Sequence, residues 1–267
     1  MKIKNIISFI LKFFLSILII LLTSIIILKS TILNKEYIKE VLEKENYYEK
    51  LSNSTKEEMK NYLIQSGFTE EIIEDIYTTN DIKNDVNRLI DQVYSNSEIT
   101  INTDKIKTNL ENNITSYLEE KNIEFSNSDE LDRFILLIAD IYEEEVGITN
   151  YLNILQKVYL SVSEFIMPII ITLVALTFIL ITILLLLKSK YILSVPLLTL
   201  TFTYLIISFY LKDKIAIDNL LILSQDISNL IKYIFLDIIG KINTISLISF
   251  AIAIIFIILR RSHDTNN

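Results

Sequence analysis

The sequence predicts an all-α membrane protein: a four-helix transmembrane bundle with a mostly helical extracytoplasmic domain inserted between spans one and two. Three observations predict it. Four stretches are apolar over roughly the 20 residues a helix needs to cross a hydrocarbon core. The long segment between the first two repeats its apolar residues with a helical period and holds most of the acids. Lys and Arg near the ends of the stretches fall on one side. With 51% hydrophobic residues and a mean hydropathy of +0.42, the chain is too apolar for an ordinary soluble domain. Its 22% of charged residues is too many for a bare bundle, so the two populations must be segregated.

Residues 1–28 are read as a cytoplasmic N-terminus and span one, whose apolar run is Ile6 to Leu28. Span two is 165–187, span three 191–211 and span four 242–259, the last extendable upstream through Gly240 and Ile239. Residues 260–267 form a cytoplasmic tail. With the N-terminus inside, Lys2, Lys4, Lys188, Lys190, Arg260 and Arg261 share one face. On the other face Lys212, Lys214, Lys232 and Lys241 alternate with Asp213, Asp218, Asp226 and Asp237. Positive residues are retained on the cytoplasmic side, so both termini are expected there, in a multi-pass cell-membrane protein with 29–164 extracytoplasmic. Lys12 lies inside the first apolar run and is expected to snorkel back to the headgroups. Span one also has the outline of a signal peptide. It is expected to be retained, because Lys29-Ser30-Thr31-Ile32-Leu33 offers no A-x-A-like cleavage site.

The acidic domain, 29–164, carries 14 Lys and Arg against 28 Asp and Glu, a net of −14, while the whole chain carries −8. One helix is expected from Glu36 to Leu51, with Tyr37, Ile38, Val41 and Leu42 on a stripe. Another starts at a capping box of Thr55 and Glu58 and stops at Gly67. Thr69 is expected to cap a short helix holding Ile72, Ile73 and Ile76. Asn80 or Asp81 caps one bearing Ile82, Val86, Leu89, Ile90, Val93 and Tyr94. After Asp104 the period returns in Ile106, Leu110, Ile114, Tyr117 and Leu118. The set from Ile82 echoes the set from Ile106 at an offset of 24 residues, as a duplicated helical unit would. A helix after Ser128 carries Leu131, Phe134, Ile135, Ile138, Ile141 and Tyr142 and ends near Gly147. The single strand-like stretch, Glu98 to Asn102, is too short to define a sheet. From Thr149 or Asn150 a helix is expected to run through Tyr151, Leu155, Val158 and Tyr159 into span two. Residues 212–241 form an outer amphipathic segment, with Leu220, Leu223, Ile227, Leu230, Ile231 and Ile234 on its apolar side. Such a segment can lie on the bilayer or close the core of the acidic domain.

The chemistry is sparse. Cysteine is absent, which excludes disulfides, thiolate ligands and cysteine nucleophiles. The three glycines, Gly67, Gly147 and Gly240, build no phosphate-cradling loop, and no hydrolase, zincin or nucleotide motif occurs. His263, the only histidine, lies in the tail. The acid groups Glu70, Glu71, Glu74 and Asp75, and Asp140, Glu143, Glu144 and Glu145, are read as solvated helix faces, because calcium needs six to eight oxygens converging from a loop. Spans two, three and four hold hydroxyls but no charge, which suits an anchor better than an ion pathway. No catalytic, cofactor-binding or metal-ligating residue is assigned, and no enzyme is expected. The expected partners are the lipid bilayer and a protein at the acidic domain; nucleic acid is repelled by the charge. The heavy use of Ile, Asn and Lys is the bias of an AT-rich genome, so a bacterial source is expected. The functional expectation is a non-enzymatic scaffold, sensor or assembly factor presenting its helical outer domain to a protein partner. The alternative is a permease-like subunit of an ABC-type system that transmits motion to its outer domain. One span, a domain and three further spans is similar to the topology of cell-division and macrolide-export type permeases. The likeness is topological, and Lys188 to Lys190 is short for an ATPase-coupling link.

Overall fold

The structure, a computed structural model, describes residues 2–66, 68–122, 128–147, 149–214 and 225–265. It is all-helical, 87% of it in helices, with no strand among the described residues. In chain order the helices are α1 (Lys2–Ser30), α2 (Lys35–Lys44), α3 (Tyr47–Ser66), α4 (Thr79–Ser95), α5 (Asp104–Glu120), α6 (Ser128–Gly147), α7 (Thr149–Leu186), α8 (Ser194–Lys214) and α9 (Gln225–Thr265), with a 3₁₀ turn at Glu70–Ile73. The chain divides into a membrane unit, Met1–Tyr37 with Val162–Asn267, and an inserted unit, Ile38–Ser161.

In the membrane unit four helices are long and apolar enough to cross a membrane: α1, α7, α8 and α9. Their apolar side chains are far more often exposed than buried, which a hydrocarbon surround permits. Spans one and three run in the same direction, because Ser8 meets Ser189 and Thr23 meets Tyr204, at a constant offset along the chain. Spans three and four are antiparallel, joined by a reciprocal pair in which Thr201 Oγ1 donates to the Ser246 carbonyl and Ser246 Oγ to the Thr201 carbonyl. Ile27, Leu200, Tyr204 and Ile242 form the buried cluster between them. Span two is covered along one narrow stripe, Ser163, Ile166, Ile170, Leu173, Thr177, Leu180, Leu184 and Leu187. These are alternately three and four residues apart.

Pro168 lies inside α7 and removes one backbone donor there. Pro196 is the third residue of α8, where no intrahelical partner is lost, so it gives the helix no cause to kink. Span three starts at Ser194 instead of Tyr191, since Lys188 and Tyr191 adopt left-handed φ values of 49° and 57° that end one helix and delay the next. The amphipathic segment before span four is described from Gln225 onward, and there it is one helix with the span. Residues 215–224, with Leu220 and Leu223, lie outside the described residues.

In the inserted unit the buried faces of α3, α4, α5 and α6 meet around Met59, Leu63, Ile76, Leu89, Leu110 and Ile138. Asn109 and Asn113, one helical turn apart on α5, donate to the carbonyls of Ile76 and Ile72 at 3.0 and 2.9 Å. They thereby satisfy backbone acceptors that the short 3₁₀ turn leaves without a ladder. The positions Ile82, Val86 and Ile90 of α4 and Ile106, Leu110 and Ile114 of α5 are buried alike, and Tyr94 and Leu118 are half-buried alike. Amphipathic packing by itself accounts for that match.

Several expected boundaries move. The helix expected over Glu36 to Leu51 is two helices, broken at Asn46, whose φ is 52°. Asparagine tolerates this region because its short polar side chain can bond locally. Asn96 ends α4 the same way at φ 57°, its amide bonded to the Gln92 carbonyl, and Asn122 follows α5 at φ 53°. Thr55 begins no helix: it is buried in the middle of α3. Tyr48, Leu51 and Ser52 continue its buried stripe upstream, and burial of that stripe outweighs a cap. The expected stop at Gly67 lies outside the described residues, α3 ending at Ser66. Thr69 precedes the 3₁₀ turn without capping it by its side chain. The cap of α4 is Thr78 instead of Asn80 or Asp81; the Thr78 hydroxyl accepts from the Asp81 amide while the Asp81 carboxylate accepts from the Thr78 amide. The stretch 98–102 makes no strand. The Thr100 amide donates to Gln92 Oε1, and the Asp104 amide to Asn102 Oδ1, so side chains serve this link's amides where a strand would pair them.

Candidate functional site

The inserted unit holds a polar cleft of about 240 Å³ whose lining includes Asp81, Asp85, Arg88, Asp104, Lys105 and Tyr142. Three elements build it. The first turn of α4 supplies Asp81, which the capping box with Thr78 positions. The first turn of α5 supplies Asp104 and Lys105, and α6 supplies Tyr142, fully buried, whose ring lies 5.2 Å from that of Tyr77. Lys105 bridges to Asp81 at 2.6 Å and Arg88 to Asp85 at 2.9 Å. The Tyr142 hydroxyl donates to Asp85 at 2.7 Å.

The electrostatics follow from this geometry. Burial pushes the Asp81 carboxyl up, but the Lys105 ammonium and the two hydrogen bonds from Thr78 outweigh it, and the group stays below the ordinary carboxylate range. Burial raises Tyr142, and its bond to ionised Asp85 raises it further, so the phenol remains a donor. The cleft is smaller than the roughly 300 Å³ at which pockets for drug-sized ligands begin. The Lys105–Asp81 pair crosses from α5 to α4, and the Arg88–Asp85 pair lies within α4. Chemically it is a mixed-charge recess that can hydrogen-bond a small polar group.

The two acid groups singled out in the sequence do not converge. Glu70 of the first bridges to Lys60 at 2.6 Å, while Glu71, Glu74 and Asp75 are exposed. Of the second, Asp140, Glu143 and Glu144 are exposed and Glu145 is half-buried. Burial, then the charges of Glu58 on α3 and of Glu144, raise the Glu145 carboxyl above its ordinary value. Among the described residues no three His, Cys, Asp or Glu side chains are grouped to hold a metal. His263 falls in the last turns of α9.

In the membrane unit, Tyr37 donates to Asp237 at 2.7 Å, and Lys241 bridges the same carboxylate at 2.8 Å while its ammonium stands 4.2 Å from the centre of the Tyr37 ring. This three-residue latch fixes the end of the α1–α2 connection to α9. Sequence reasoning missed it, because the partners are 200 residues apart; the i,i+4 spacing of Asp237 and Lys241 was its only local sign. At the other end, the Lys12 ammonium donates to the Lys190 carbonyl at 2.5 Å.

No family model, no curated protein and no solved structure matches the chain, so its function has to be argued from these residues alone.

Proposed function

We propose that the chain is a membrane-anchored scaffold, sensor or assembly factor. In this reading the inserted unit stands on the extracytoplasmic face and presents its acidic helical surface to a protein partner rich in Lys and Arg. The carrying observation is the division of charge. Residues 29–164 hold a net of −14, while no Asp or Glu occurs in 1–35 or in 165–212. Positive residues kept on the inner face put both termini in the cytoplasm and the acidic unit outside. A field of that size steers cationic surfaces toward the unit and repels anionic ones. The mixed-charge cleft gives such a partner a recess of defined shape, and the uncharged interiors of spans two to four suit an anchor.

Chemical crosslinking in intact membranes, followed by capture of the full chain, is expected to recover one stoichiometric partner with a basic surface. Its yield should fall when salt is raised, because screening shortens the reach of the field. Recovery of no stoichiometric partner would sink this reading. The permease-like reading rests on topology. Against it stands the α7–α8 link, which hydrogen bonds tie to α1 through Ser189 and Lys190, where an ATPase-coupling surface needs freedom to move.

A further inference from the structure

The part of α7 that precedes span two is tied down on one side. Gln156 donates to the carbonyls of Gln92 and Ser97 at 3.2 and 2.8 Å, and the Tyr159 ring lies against that of Tyr94 with centres 4.6 Å apart. That side is held by the end of α4. Each residue turns a helix by about 100°, so Ile154 and Val158, two positions before and after Gln156, stand on the far side of α7 from it. They are 61% and 51% exposed. Val162 and Phe165 continue this exposed apolar stripe, while the exposed positions next to them hold Asn153, Lys157, Ser161 and Glu164. Apolar and polar residues are sorted on a surface that the chain itself leaves open.

Lipid covers Phe165 but falls short of the rest. Phe165 opens the apolar run of span two, and at about 1.5 Å per residue Val158 stands roughly 10 Å and Ile154 roughly 16 Å before it. The headgroup layer is only about 5 to 7 Å deep. Two branched aliphatic side chains therefore face water unless a protein surface covers them. Three observations identify that surface. Steps of seven residues from Val158 lead through Phe165, Thr172 and Ile179 to Leu186, all exposed, so the stripe follows α7 with the repeat by which parallel helices pair. Span two is also the least covered of the four, 11% of its apolar stretch being buried against 33% in span three. Residues 149–165 carry one lysine and one glutamate, Lys157 and Glu164, where 29–164 as a whole carries −14. A cationic partner is drawn to the acids elsewhere, whereas two like copies approach most easily where their charge cancels.

We propose that α7 pairs in parallel with α7 of a second copy of this chain, about a two-fold axis along the membrane normal. Copies inserted in one bilayer point the same way, and a two-fold contact sets one patch against itself, so each residue of the stripe meets its own mate. The pairing uses none of the acidic surface assigned to the protein partner and stands without it.

Because the chain has no cysteine, single substitutions report on this contact directly. Val158→Cys and Phe165→Cys, and beside them Lys157→Cys and Glu164→Cys, are made in the full chain and oxidised in native membranes. A disulfide-linked dimer is expected at Val158 and Phe165. None is expected at Lys157 or Glu164, whose Cα atoms would lie farther from their mates than the roughly 7 Å a disulfide can span. The yield should hold or rise with salt, since screening relieves repulsion between acidic units, the reverse of the salt response expected of a cationic partner. Wild type in phosphatidylcholine nanodiscs should give the mass of two copies by native mass spectrometry. Val158→Glu, at an exposed site, should give the mass of one, with helix content by circular dichroism unchanged. A single copy in wild type, equal yields at all four positions, no product at Val158 and Phe165, a yield that falls with salt, or a dimer unaffected by Val158→Glu each overturns the proposal.

Discussion

Tyr142 in the inserted unit and Tyr204 in the membrane unit are both buried to within 2% of full cover, yet their hydroxyls are satisfied in opposite ways. Tyr142 donates to a carboxylate, which is itself bridged to an arginine at the lip of a cleft. Tyr204 meets neutral partners, the hydroxyls of Thr23 and Ser24 at 2.6 and 3.0 Å and the Ile20 carbonyl at 3.3 Å. The inserted unit hides apolar residues and leaves charge outside. The membrane unit leaves apolar residues outside and encloses hydroxyls. Where water surrounds the fold, burial of apolar surface drives association and charges can anchor its edges. Where hydrocarbon surrounds it, apolar burial drives little, and packing with hydrogen bonds between spans has to hold the helices together.

The largest effect that tests this contrast is at Leu110, fully buried in α5. Leu110→Ala is expected to cost the inserted unit about 3 kcal/mol. Hydrogen exchange on the full chain should show α4 to α6 losing protection while α8 and α9 keep theirs; equal loss in both units would break the comparison. Next comes the same substitution made twice. Tyr142→Phe removes a donor from a charged acceptor and is expected to cost about 1.5 kcal/mol, whereas Tyr204→Phe is expected to cost about 0.6 kcal/mol. Chemical-denaturant titration of the two variants in one detergent measures both, and a larger loss at Tyr204 would reverse the ranking.

A third pair should differ in sign. The Thr55 hydroxyl is buried in α3 and has no hydrogen-bond partner among the described residues, while that of Thr201 is bonded to the Leu197 and Ser246 carbonyls. Thr55→Val, equal in shape, is expected to stabilise by about 1 kcal/mol. Thr201→Val should destabilise by about 0.6 kcal/mol. Shifts of melting temperature with the same sign would show that the two interiors treat hydroxyls alike.

The smallest effects depend on pH. The folded Glu145 is raised, so its contribution is favourable below the ordinary glutamate pKa and is lost as pH rises through the raised value. Glu145→Gln should therefore stabilise at neutral pH and do nothing in acid. The folded Asp81 is lowered, so its contribution is present above the ordinary aspartate pKa and disappears as pH falls through the lowered value. Asp81→Asn should destabilise at neutral pH, with the difference closing in acid. Melting curves across pH 3 to 7 are the check, and a change of the same sign in both variants counts against the assigned causes.

Four long apolar stretches and five amphipathic ones were readable from the chain because both signals are local: length against a membrane's thickness, and period against a helix's turn. The stop signals were harder. With three glycines in the chain, asparagines such as Asn46 and Asn96 terminate helices, and asparagine is too common here to mark its own role. Span four reads as extendable upstream through Gly240 and Ile239, and α9 does continue through them. A side chain added at Gly240 would meet nothing within 4 Å, so the residue is an ordinary helical position. The cleft and the latch depend on partners from 24 to 200 residues apart, such as Lys105 with Asp81 and Tyr37 with Asp237. No window along the chain contains them.

The narrow covered stripe of span two has a consequence for shape. Its period is 3.5 residues, and a straight helix of 3.6 drifts about 20° from such a stripe in every seven residues. From Ser163 to Leu187 the drift would reach roughly 70°, enough to rotate one end of the stripe out toward lipid. Both ends are half-buried, as is Thr177 between them. A left-handed supercoil is the winding that would keep a stripe of this period on one side of span two.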